Sequence, residues 1–328
     1  MLLLNVLNPE GRRATFWLAV EEWAARHATL PLPAFTMWQV NPTVVFGRNQ
    51  VVDIEVNLEY CRRNNIDIVR RKSGGGCVYA DRENLMTGCI SASGNIQQAF
   101  GEHTRRLTSL LRALGVPAEC TSRNDVTVAG RKISGNSYFG VAGRSIVHGT
   151  LLLDFNTTHM ANAITPSRTK LAAKGVKSVP ARLTTLHEYL PGITVDEIKK
   201  VAFNTFIDDV YTLSPDEERQ VLEIEAGYNT PEWIYRSRRK ASDQLRTIRF
   251  EGIGEITAAV CVADGVITDV ALDGDFFNVA PLSTLCRPLC GVPFTPDAIR
   301  RAVKTLTPAD VIPGLTDYNL LELLMPDV

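Results

Sequence analysis

The sequence lacks an excess of charge of either sign. Its 35 Lys and Arg residues nearly balance 36 Asp and Glu residues, and the formal net charge is −1. A protein without a strong overall field has no general attraction for nucleic acid or for an anionic membrane. No helix-turn-helix pattern or basic domain appears either, which disfavours a DNA-binding repressor. We therefore expect neither nucleic acid nor a membrane among its partners.

Long hydrophobic runs are also absent. The opening residues 1–7 are apolar but too short to span a bilayer, and they lack the basic start and cleavage site of a signal peptide. We expect a buried first strand there. The chain has 328 residues, of which 45% are hydrophobic and 22% charged, as in an ordinary globular protein with a substantial core. This length favours one large domain plus a smaller one.

Cysteines are few and scattered. The seven cysteines do not show the dense spacing of a disulfide framework. Cys286 and Cys290 lie close together, but no second Cys/His pair completes a zinc site. Reduced thiols in the cytoplasm are expected, or in the mitochondrial matrix if the protein is eukaryotic.

Apolar periodicity and turn residues predict helices alternating with strands. The segment 15–27 predicts an amphipathic helix with Glu21 and Glu22 on its polar side, and 100–114 predicts a second helix. Strands are predicted at 38–46, 66–69 and 85–92. Hairpins are predicted through 126–153, with turns at Ala129-Gly130, Gly135-Asn136 and Ala142-Gly143.

The end of the chain has a different pattern. Capping boxes at 194–197 and 214–217 each predict the start of a helix. A second block begins near Thr247, where two β runs meet at Ala263-Asp264-Gly265, and later helices begin at Pro296 and Pro308. We predict a catalytic domain over 1–240 and a small α+β domain over 247–328.

A triple glycine is the first candidate for chemistry. Arg70, Arg71 and Lys72 precede Ser73-Gly74-Gly75-Gly76, and Cys77-Val78-Tyr79 resumes an apolar run. Consecutive glycines allow backbone N–H groups to approach an anion, and arginines add bidentate donors. A plain tight turn explains the same residues equally well. The segment is neither a Walker A loop nor a dinucleotide-binding fingerprint, since the required spacings are missing.

A second candidate runs from Arg123 to Ser137. Lys132 alternates with Ile133 and abuts Gly135, so its ammonium could hold a carbonyl or phosphoryl oxygen that gains negative charge. A solvated surface lysine is the ordinary alternative. Asn124 and Asp125 could orient a ligand or cap a turn, and Asp125 could assist a metal; capping is the simplest interpretation.

Two further segments complete the set. His148 stands beside a glycine at the start of an apolar strand, where it could line a pocket or only make structural hydrogen bonds. Three lysines over 170–178, leading to Arg182, suit a basic loop over an anionic ligand or a solvated loop.

Together these segments resemble the lipoate–protein ligase A family, within the biotin/lipoate ligase superfamily. The triple-glycine loop, the Arg-Asn-Asp segment, the Lys132 turn, the His148-Gly149-Thr150 strand and the 170–178 loop occur in the order and spacing of that family. The resemblance covers about residues 1–240 and extends in outline to the C-terminal block. It implies an α/β (α+β) fold with mixed, mainly antiparallel sheets flanked by helices.

The resemblance also implies a two-step reaction. Lipoate and ATP-Mg²⁺ give lipoyl-AMP, and the lipoyl group then passes to a lysine of a lipoyl carrier domain, as in 2-oxoacid dehydrogenase E2 or the glycine cleavage H protein. Lys132 would be catalytic, and no tightly bound prosthetic group is expected. The residues implied to bind lipoate and ATP are Arg71, Ser73, Gly74, Gly75, Gly76, Cys77, Val78, Tyr79, Asn124, Asp125, Lys132, Gly135 and His148. Trp38 and nearby aliphatic residues are candidates for the apolar slot, and a role in the core explains them at least as well.

Other functions stay open at this point. A lipoyl or octanoyl transferase would use a preformed acyl-AMP or a carrier thioester and would lack adenylation. Its thioester form needs a cysteine nucleophile, for which Cys77 and Cys89 are candidates. Biotin ligase is less similar because its Gly-Arg-Gly-Arg loop is missing. A ligand-binding protein without catalysis is a remote alternative.

Overall fold

The computed structural model describes residues 1–27, 29–121, 124–154, 156–165, 182–236 and 244–325. The strands in these ranges are β1 Leu2–Asn5, β2 Ala34–Trp38, β3 Thr43–Phe46, β4 Asp67–Arg70, β5 Val78–Ala80, β6 Asn84–Ser91, β7 Ala118–Cys120, β8 Asp125–Val128, β9 Arg131–Val141, β10 Arg144–Leu152, β11 Asp209–Thr212, β12 Gln244–Phe250, β13 Gly254–Ala263 and β14 Val266–Gly274. The α-helices are α1 Ala14–Arg26, α2 Val52–Glu55, α3 Leu58–Arg63, α4 Ile96–Ala113, α5 Thr157–Ala163, α6 Val195–Thr205, α7 Pro215–Tyr228, α8 Pro231–Ile234, α9 Ser283–Cys286, α10 Pro296–Val303, α11 Pro308–Val311 and α12 Asp317–Leu324.

The largest sheet has eight strands in the order β11-β1-β2-β6-β10-β9-β8-β7. Strand β1 runs parallel to β2 and β11, and the remaining pairs are antiparallel. The expectations of a first strand near the N-terminus and of hairpins after residue 125 are confirmed. The positive φ angles of Ala129-Gly130 and Ala142-Gly143 form the tight turns that join β8, β9 and β10.

Helices cover both faces of this sheet. Helix α1 packs on one face, where Phe16, Trp17 and Val20 share a core with Met86 and Ile146 of the strands. Helices α4 and α6 pack on the other face, around residues that alternate with those of the first. Because strand side chains alternate, each strand supplies one set of residues to each core.

A second, three-stranded sheet has the order β4-β3-β5. Strand β3 pairs in parallel with β4 and antiparallel with β5. The chain must therefore cross from one side of β3 to the other between residues 70 and 78. This crossing segment is the triple-glycine loop, and it ends beside the large sheet.

The C-terminal part has its own antiparallel sheet, β12-β13-β14, and its own hydrophobic core. Its turn at Asp264-Gly265 has positive φ at both residues, as the sequence predicts for this hairpin. Helices α10 and α12 contribute Ile299, Leu320 and Leu323 to that core. Pro296 and Pro308 stand at the first helical turns, where a missing N–H is harmless.

Three predictions about elements are wrong. Residues 38–46 are two strands separated by a turn, because Trp38 ends β2 and Thr43 begins β3. Gly135-Asn136 lies inside β9, where hydrogen bonds to β10 continue past both residues. Glu21 and Glu22 are each 1% exposed and lie among the buried residues of α1, so they are not on a polar side.

Candidate active site

The sheet face under α1 carries polar and small residues in register across four strands. Thr36 on β2 pairs with Gly88 on β6, which pairs with His148 on β10. His148 in turn pairs with Ser137 on β9. Opposed residues in antiparallel strands point to the same face. We call this set the polar row.

A second row lies two residues further along the same strands. It contains Trp38, Met86, Thr150, Gly135 and Asp125, which are successive partners from β2 to β8. Residues two apart on a strand share a face and are about 7 Å apart. Thr150 of β10 separates the apolar end of this row, at Trp38 and Met86, from the polar end at Gly135 and Asp125.

A buried hydrogen-bonded chain joins α1, the polar row and the glycine loop. Glu21 Oε2 lies 2.6 Å from His148 Nδ1, and His148 Nε2 lies 2.7 Å from Ser73 Oγ. The Glu21 carboxylate also accepts from Thr36 Oγ1 at 2.9 Å and from Trp38 Nε1 at 3.3 Å. Glu21 and Ser73 are each 1% exposed and His148 is 7% exposed. We call Ser73, His148 and Glu21 the buried triad.

Gly88 provides the space that this arrangement needs. A Cβ atom at residue 88 would overlap the carboxylate of Glu21 and the hydroxyl of Thr36. Any larger residue would displace the Glu21 carboxylate, the Thr36 hydroxyl or both. The glycine is therefore required by a close approach of side chains, and not by its backbone angles.

Arg71 holds the glycine loop in shape. Its guanidinium donates to the carbonyl oxygens of Gly74 at 2.6 Å, Gly76 at 2.7 Å and Val45 at 3.0 Å. Burial lowers the pKa of Arg71 to about 10, which still leaves it protonated at neutral pH. Ser137 Oγ donates to Gly74 O at 2.7 Å as well. The donors of Arg71 thus face the loop backbone, and its contact with a ligand stays a prediction.

Arg70 connects the loop to the segment around α8. It is 1% exposed and donates to the carbonyl oxygens of Gln50 at 2.6 Å and Ile234 at 2.9 Å. Trp233 Nε1 donates back to Arg70 O at 2.8 Å. Burial lowers the pKa of Arg70 to about 10. Arg70 is therefore a structural residue of the loop.

Lys72 anchors the loop to the second buried glutamate. Lys72 Nζ lies 2.7 Å from Glu22 Oε2 and 4.5 Å from the centroid of the Tyr228 ring. Arg26 and the Tyr228 hydroxyl also donate to Glu22. Burial raises the pKa of Glu22, but the contacts with Lys72, Arg26 and Tyr228 outweigh it, and the net pKa is lowered.

Lys132 lies over Gly135 at the polar end of the second row. Its Nζ is 2.7 Å from Asp125 Oδ1, and its side chain is 33% exposed. A Cβ atom at residue 135 would overlap the Lys132 ammonium, so this glycine keeps the lysine in place. The Asn124 side chain donates to the backbone carbonyl of Asn136, and the Asn136 side chain donates to the backbone carbonyl of Asn124. These two hydrogen bonds join the residue before β8 to β9, beside Lys132. The structure thus brings Lys132, Asp125, Gly135 and Asn124 together.

The remaining loop residues divide between two environments. Val78 packs against the core under α1, whereas Cys77 and Tyr79 pack in a separate cluster with Val44. Burial raises the pKa of the Tyr79 hydroxyl. Cys77 and Tyr79 therefore belong to the far side of the loop, and a role for them in binding stays a prediction.

Residues 274–278 of the C-terminal part contact the glycine loop. Gly75 N–H donates to Phe276 O at 3.4 Å, and Asn49 Nδ2 donates to Asn278 Oδ1 at 2.8 Å. A Cβ atom at residue 74 would overlap Phe276 O, so Gly74 is required by this contact. One N–H of the expected anion site is thus directed at the C-terminal part.

The candidate nucleophiles for a thioester reaction are poorly placed. Cys89 is 2% exposed on the face under α4, and burial raises its pKa to about 12. A thiol with such a pKa is almost wholly protonated at neutral pH and is a weak nucleophile. Cys77 packs in the outer cluster described above.

Metal-binding and membrane features are absent from the ranges that the structure describes. No group of three or more His, Cys, Asp or Glu side chains there is arranged to hold a metal ion. Asp125, the one suggested metal ligand, pairs with Lys132. Among the described helices, none has the length and hydropathy to cross a bilayer. Arg123, the 170–178 loop and residues 237–240 lie outside the described residues.

The buried glutamates are the main residues that sequence reasoning missed. Residues 14–25 are apolar apart from Thr15 and the two glutamates, so the sequence indicates a helix that is buried all round and two carboxylates near the core. That signal was available because buried carboxylates need partners, which the loop supplies. Gly88 could not be found in the same way, since nothing local marks a glycine that makes room for a distant side chain.

Two protein families match the chain. The lipoyl protein ligase A/B catalytic domain matches residues 13–207, and the bacterial lipoate protein ligase C-terminus matches residues 241–324. Lipoate-protein ligase LplJ of Bacillus subtilis is 32% identical, with 99% of this chain and all of the relative covered. Lipoate–protein ligase 1 of Staphylococcus aureus is 33% identical, with 88% of each chain covered.

Solved structures share the fold. LipL1 of P. falciparum in complex with lipoate has a TM-score of 0.76 at 19% identity and covers 98% of this chain and 97% of its own. The bipartite ligase from Thermoplasma acidophilum, solved as a lipoylation system with its E2 lipoyl domain, has a TM-score of 0.63 at 25% identity, covering 73% and 98%. A lipoate-protein ligase A bound with ATP has a TM-score of 0.61 at 22% identity, covering 71% and 98%. From the family matches and the relatives of near-equal length, the chain belongs to the lipoate–protein ligase family.

Proposed function

We propose that this protein is a lipoate–protein ligase that uses ATP to activate lipoate and then transfers the lipoyl group to a lysine of a lipoyl carrier domain. The observation that supports this most is the meeting of Lys132, Gly135 and the glycine loop on one face of the sheet. These groups supply positive charge and backbone donors on the face that also carries the apolar end of the second row, Trp38 and Met86. Membership of the ligase family gives the reaction its substrates.

In the first step the carboxylate of lipoate attacks the α-phosphorus of ATP, supplied with Mg²⁺ as its counterion. The bond to the β-phosphate breaks, and lipoyl-AMP and pyrophosphate form. Lys132 holds the carbonyl and phosphate oxygens of this mixed anhydride, since its ammonium is a compact donor at 33% exposure. Lipoate and ATP are known ligands of structural relatives, one solved with each.

In the second step the amine of the acceptor lysine attacks the activated carbonyl, and AMP leaves. The enzyme needs no covalent intermediate because the mixed anhydride is already activated. Its contribution is positioning and charge stabilisation. The apolar end of the second row, at Trp38 and Met86, is the proposed slot for the lipoyl tail. Trp17 stacks on Trp38 at 6.0 Å and makes this wall rigid.

The other predicted residues take supporting roles in this proposal. Ser73, Gly74, Gly75 and Gly76 form the cradle, with His148 beneath Ser73. Asn124 and Asp125 orient Lys132, and Arg71 keeps the cradle in shape. The proposed catalytic domain spans 1–240, and the accessory domain spans 247–328.

The partner is proposed to be a lipoyl domain, by comparison with the archaeal system solved with one. The carrier would be the E2 subunit of a 2-oxoacid dehydrogenase or the glycine cleavage H protein. A cytoplasmic location is part of the proposal, and the seven cysteines, all free thiols, fit a reducing compartment.

The test is pyrophosphate release from ATP-Mg²⁺ in the presence of lipoate, with carrier lipoylation followed by mass spectrometry. We expect lipoate-dependent release and a lipoylated carrier. Transfer from synthetic lipoyl-AMP without any pyrophosphate release would show a transferase instead. Transfer from octanoyl-carrier protein that is lost in Cys77→Ser would show the thioester enzyme.

A further inference from the structure

We propose that the buried triad of Ser73, His148 and Glu21 is a proton relay that deprotonates the ammonium group of the acceptor lysine. This inference rests on the proposed function, because it assigns a role within the transfer step. Ser73 is the catalytic residue that meets the amine. His148 and Glu21 act through Ser73 as positioning residues.

The hydrogen-bond directions follow from the groups involved. Thr36 and Trp38 donate to one oxygen of the Glu21 carboxylate, and His148 Nδ1 lies 2.6 Å from the other; an ionised carboxylate only accepts. His148 must then carry its proton on Nδ1, which leaves Nε2 as an acceptor in the neutral ring. The Ser73 hydroxyl, 2.7 Å away, therefore donates to Nε2. A serine oriented in this way can take a proton from a substrate as it passes its own to histidine.

The burial of Glu21 indicates that the buried triad has a role beyond packing. A carboxylate that is 1% exposed is expensive to bury, and an apolar side chain at this position would pack without that penalty. Gly88 is kept small to admit it. The neighbouring Glu22 is equally buried, but its contacts with Lys72 and Arg26 are ion pairs that stabilise the loop directly.

The relay lies within reach of the reacting carbonyl. Ser137 bonds the carbonyl oxygen of Gly74, next to Ser73, and Gly135 lies two residues earlier on the same face with Lys132 above it. Two residues along a strand span about 7 Å. A carbonyl held by Lys132 over Gly135 would therefore lie about 7 Å from Ser137, which bonds the residue next to Ser73, and the acceptor amine would approach between Lys132 and Ser73.

The chemistry of amide formation requires such a base. A lysine ammonium has no lone pair, so it must lose one proton before its nitrogen can attack. We assign this proton to Ser73 Oγ, whose own proton moves to His148 Nε2, and the imidazolium is stabilised by Glu21. The nitrogen then bonds to the carbonyl carbon, the bond from that carbon to the phosphate oxygen breaks, and the second proton leaves with AMP or solvent. His148 returns its proton to solvent when the products leave.

The experiment compares two acceptors for the same adenylate. Enzyme with synthetic lipoyl-AMP is mixed with a lipoyl domain or with hydroxylamine, and the single-turnover rates are measured. Hydroxylamine is mostly unprotonated at neutral pH and needs little help from a base. In Glu21→Gln the amide can donate to His148 Nδ1, which reverses the ring tautomer and breaks the relay.

We expect Glu21→Gln and Ser73→Ala to slow transfer to lysine by about 10²-fold or more, the usual contribution of a general base, and to leave hydroxamate formation nearly unchanged. Glu22→Gln is the matched control, since it removes an equally buried glutamate that anchors the same loop. It should change both rates by the same factor.

Two results would overturn the relay. Equal slowing of both acceptors in Glu21→Gln and Ser73→Ala would show that the triad only shapes the site. A lipoyl group covalently bound to Ser73 would show a nucleophile instead of a base. Failure of the proposed function is distinct, since it would appear in the wild-type protein as absent pyrophosphate release or absent transfer to the carrier.

Discussion

The two faces of the eight-stranded sheet are built from the same strands but differ in the side chains that they bury. Under α4 and α6 most inward residues are apolar, as in Phe35, Leu85 and Leu151. Under α1 the alternating positions Thr36, His148 and others form the polar row. The face under α4 and α6 stabilises the fold through its hydrophobic core, and the face under α1 carries polar groups as well. A period of two in the side chains allows both in one strand.

Two histidines on opposite faces of the sheet show how the surroundings differ. His103 of α4 is fully buried beside Thr87, and burial lowers its pKa to about 3, with Arg106 adding to this effect. It therefore stays neutral throughout the physiological range and can only make hydrogen bonds. His148 has a carboxylate on one ring nitrogen and a serine on the other. Of these two histidines, His148 is therefore the one placed to accept a proton from a hydroxyl while a carboxylate stabilises the charged ring.

The largest effect is expected on the α1 face, from Lys132→Ala. This variant removes the ammonium that we propose meets the developing negative charge, and loss of one such donor lowers rates by about 10²–10³-fold or more. A carrier gel-shift assay should show no lipoylation. The melting temperature should be unchanged, because the side chain is partly exposed. Lys304→Ala, on an exposed position of the C-terminal part, is the control and should remain active.

Leu110→Ala tests the opposite face. Leu110 is 0% exposed, so truncation should destabilise the fold by about 2–5 kcal/mol, measured by urea unfolding. At a temperature where the variant is folded, its ligation rate should equal that of the wild type. Arg105→Ala, an exposed neighbour on α4, should alter stability by less than about 0.5 kcal/mol. A large fall in rate for Leu110→Ala would break the division between the faces.

Gly88→Ala sharpens the comparison with a single methyl group. The added Cβ must push Glu21 or Thr36 aside, which should lower stability by about 1–3 kcal/mol. Transfer to the carrier should also slow, because the contact of Glu21 with His148 is broken. Stability and single-turnover rate are measured on the same preparation. Wild-type transfer in Gly88→Ala would contradict the need for this close approach.

The smallest expected effect is the contribution of Glu22 to the decline of unfolding free energy at acid pH. The folded-state pKa of Glu22 is lowered, so its contribution to stability is complete above the pKa of an unfolded glutamate and is lost as pH falls through the folded value. Glu22→Gln should flatten the decline in unfolding free energy between about pH 5 and pH 3. Lys72→Met removes the other partner of the pair and should flatten it similarly. An unchanged slope in both variants would refute this account of the ion pair.

Much of the fold was predictable because its signals are local. Capping boxes at 194–197 and 214–217 and the hairpin turns stand where the sequence predicts them. The order of the strands in the sheet was not predictable from patterns, because β1 and β11 pair across some 200 residues. The resemblance to a family implied mixed, mainly antiparallel sheets flanked by helices, but not the strand order.

The candidate site was predictable only for residues that belong to recognisable local sequence motifs. The glycine loop, Lys132 and His148 were found as motifs, and the structure brings them together. The partners that orient them were missed, because Glu21 and Gly88 act through contacts between distant segments. Arg70, one of the two arginines expected to add positive charge beside the loop, donates to backbone carbonyl oxygens.

The most direct test is a crystal structure of the protein with a non-hydrolysable sulfamoyl analogue of lipoyl-AMP. We expect the analogue on the α1 face, with its carbonyl oxygen within hydrogen-bond distance of Lys132 Nζ, its linker against Ser73–Gly76 and its tail beside Trp38. An analogue bound elsewhere, with Lys132 contacting only Asp125, would contradict it.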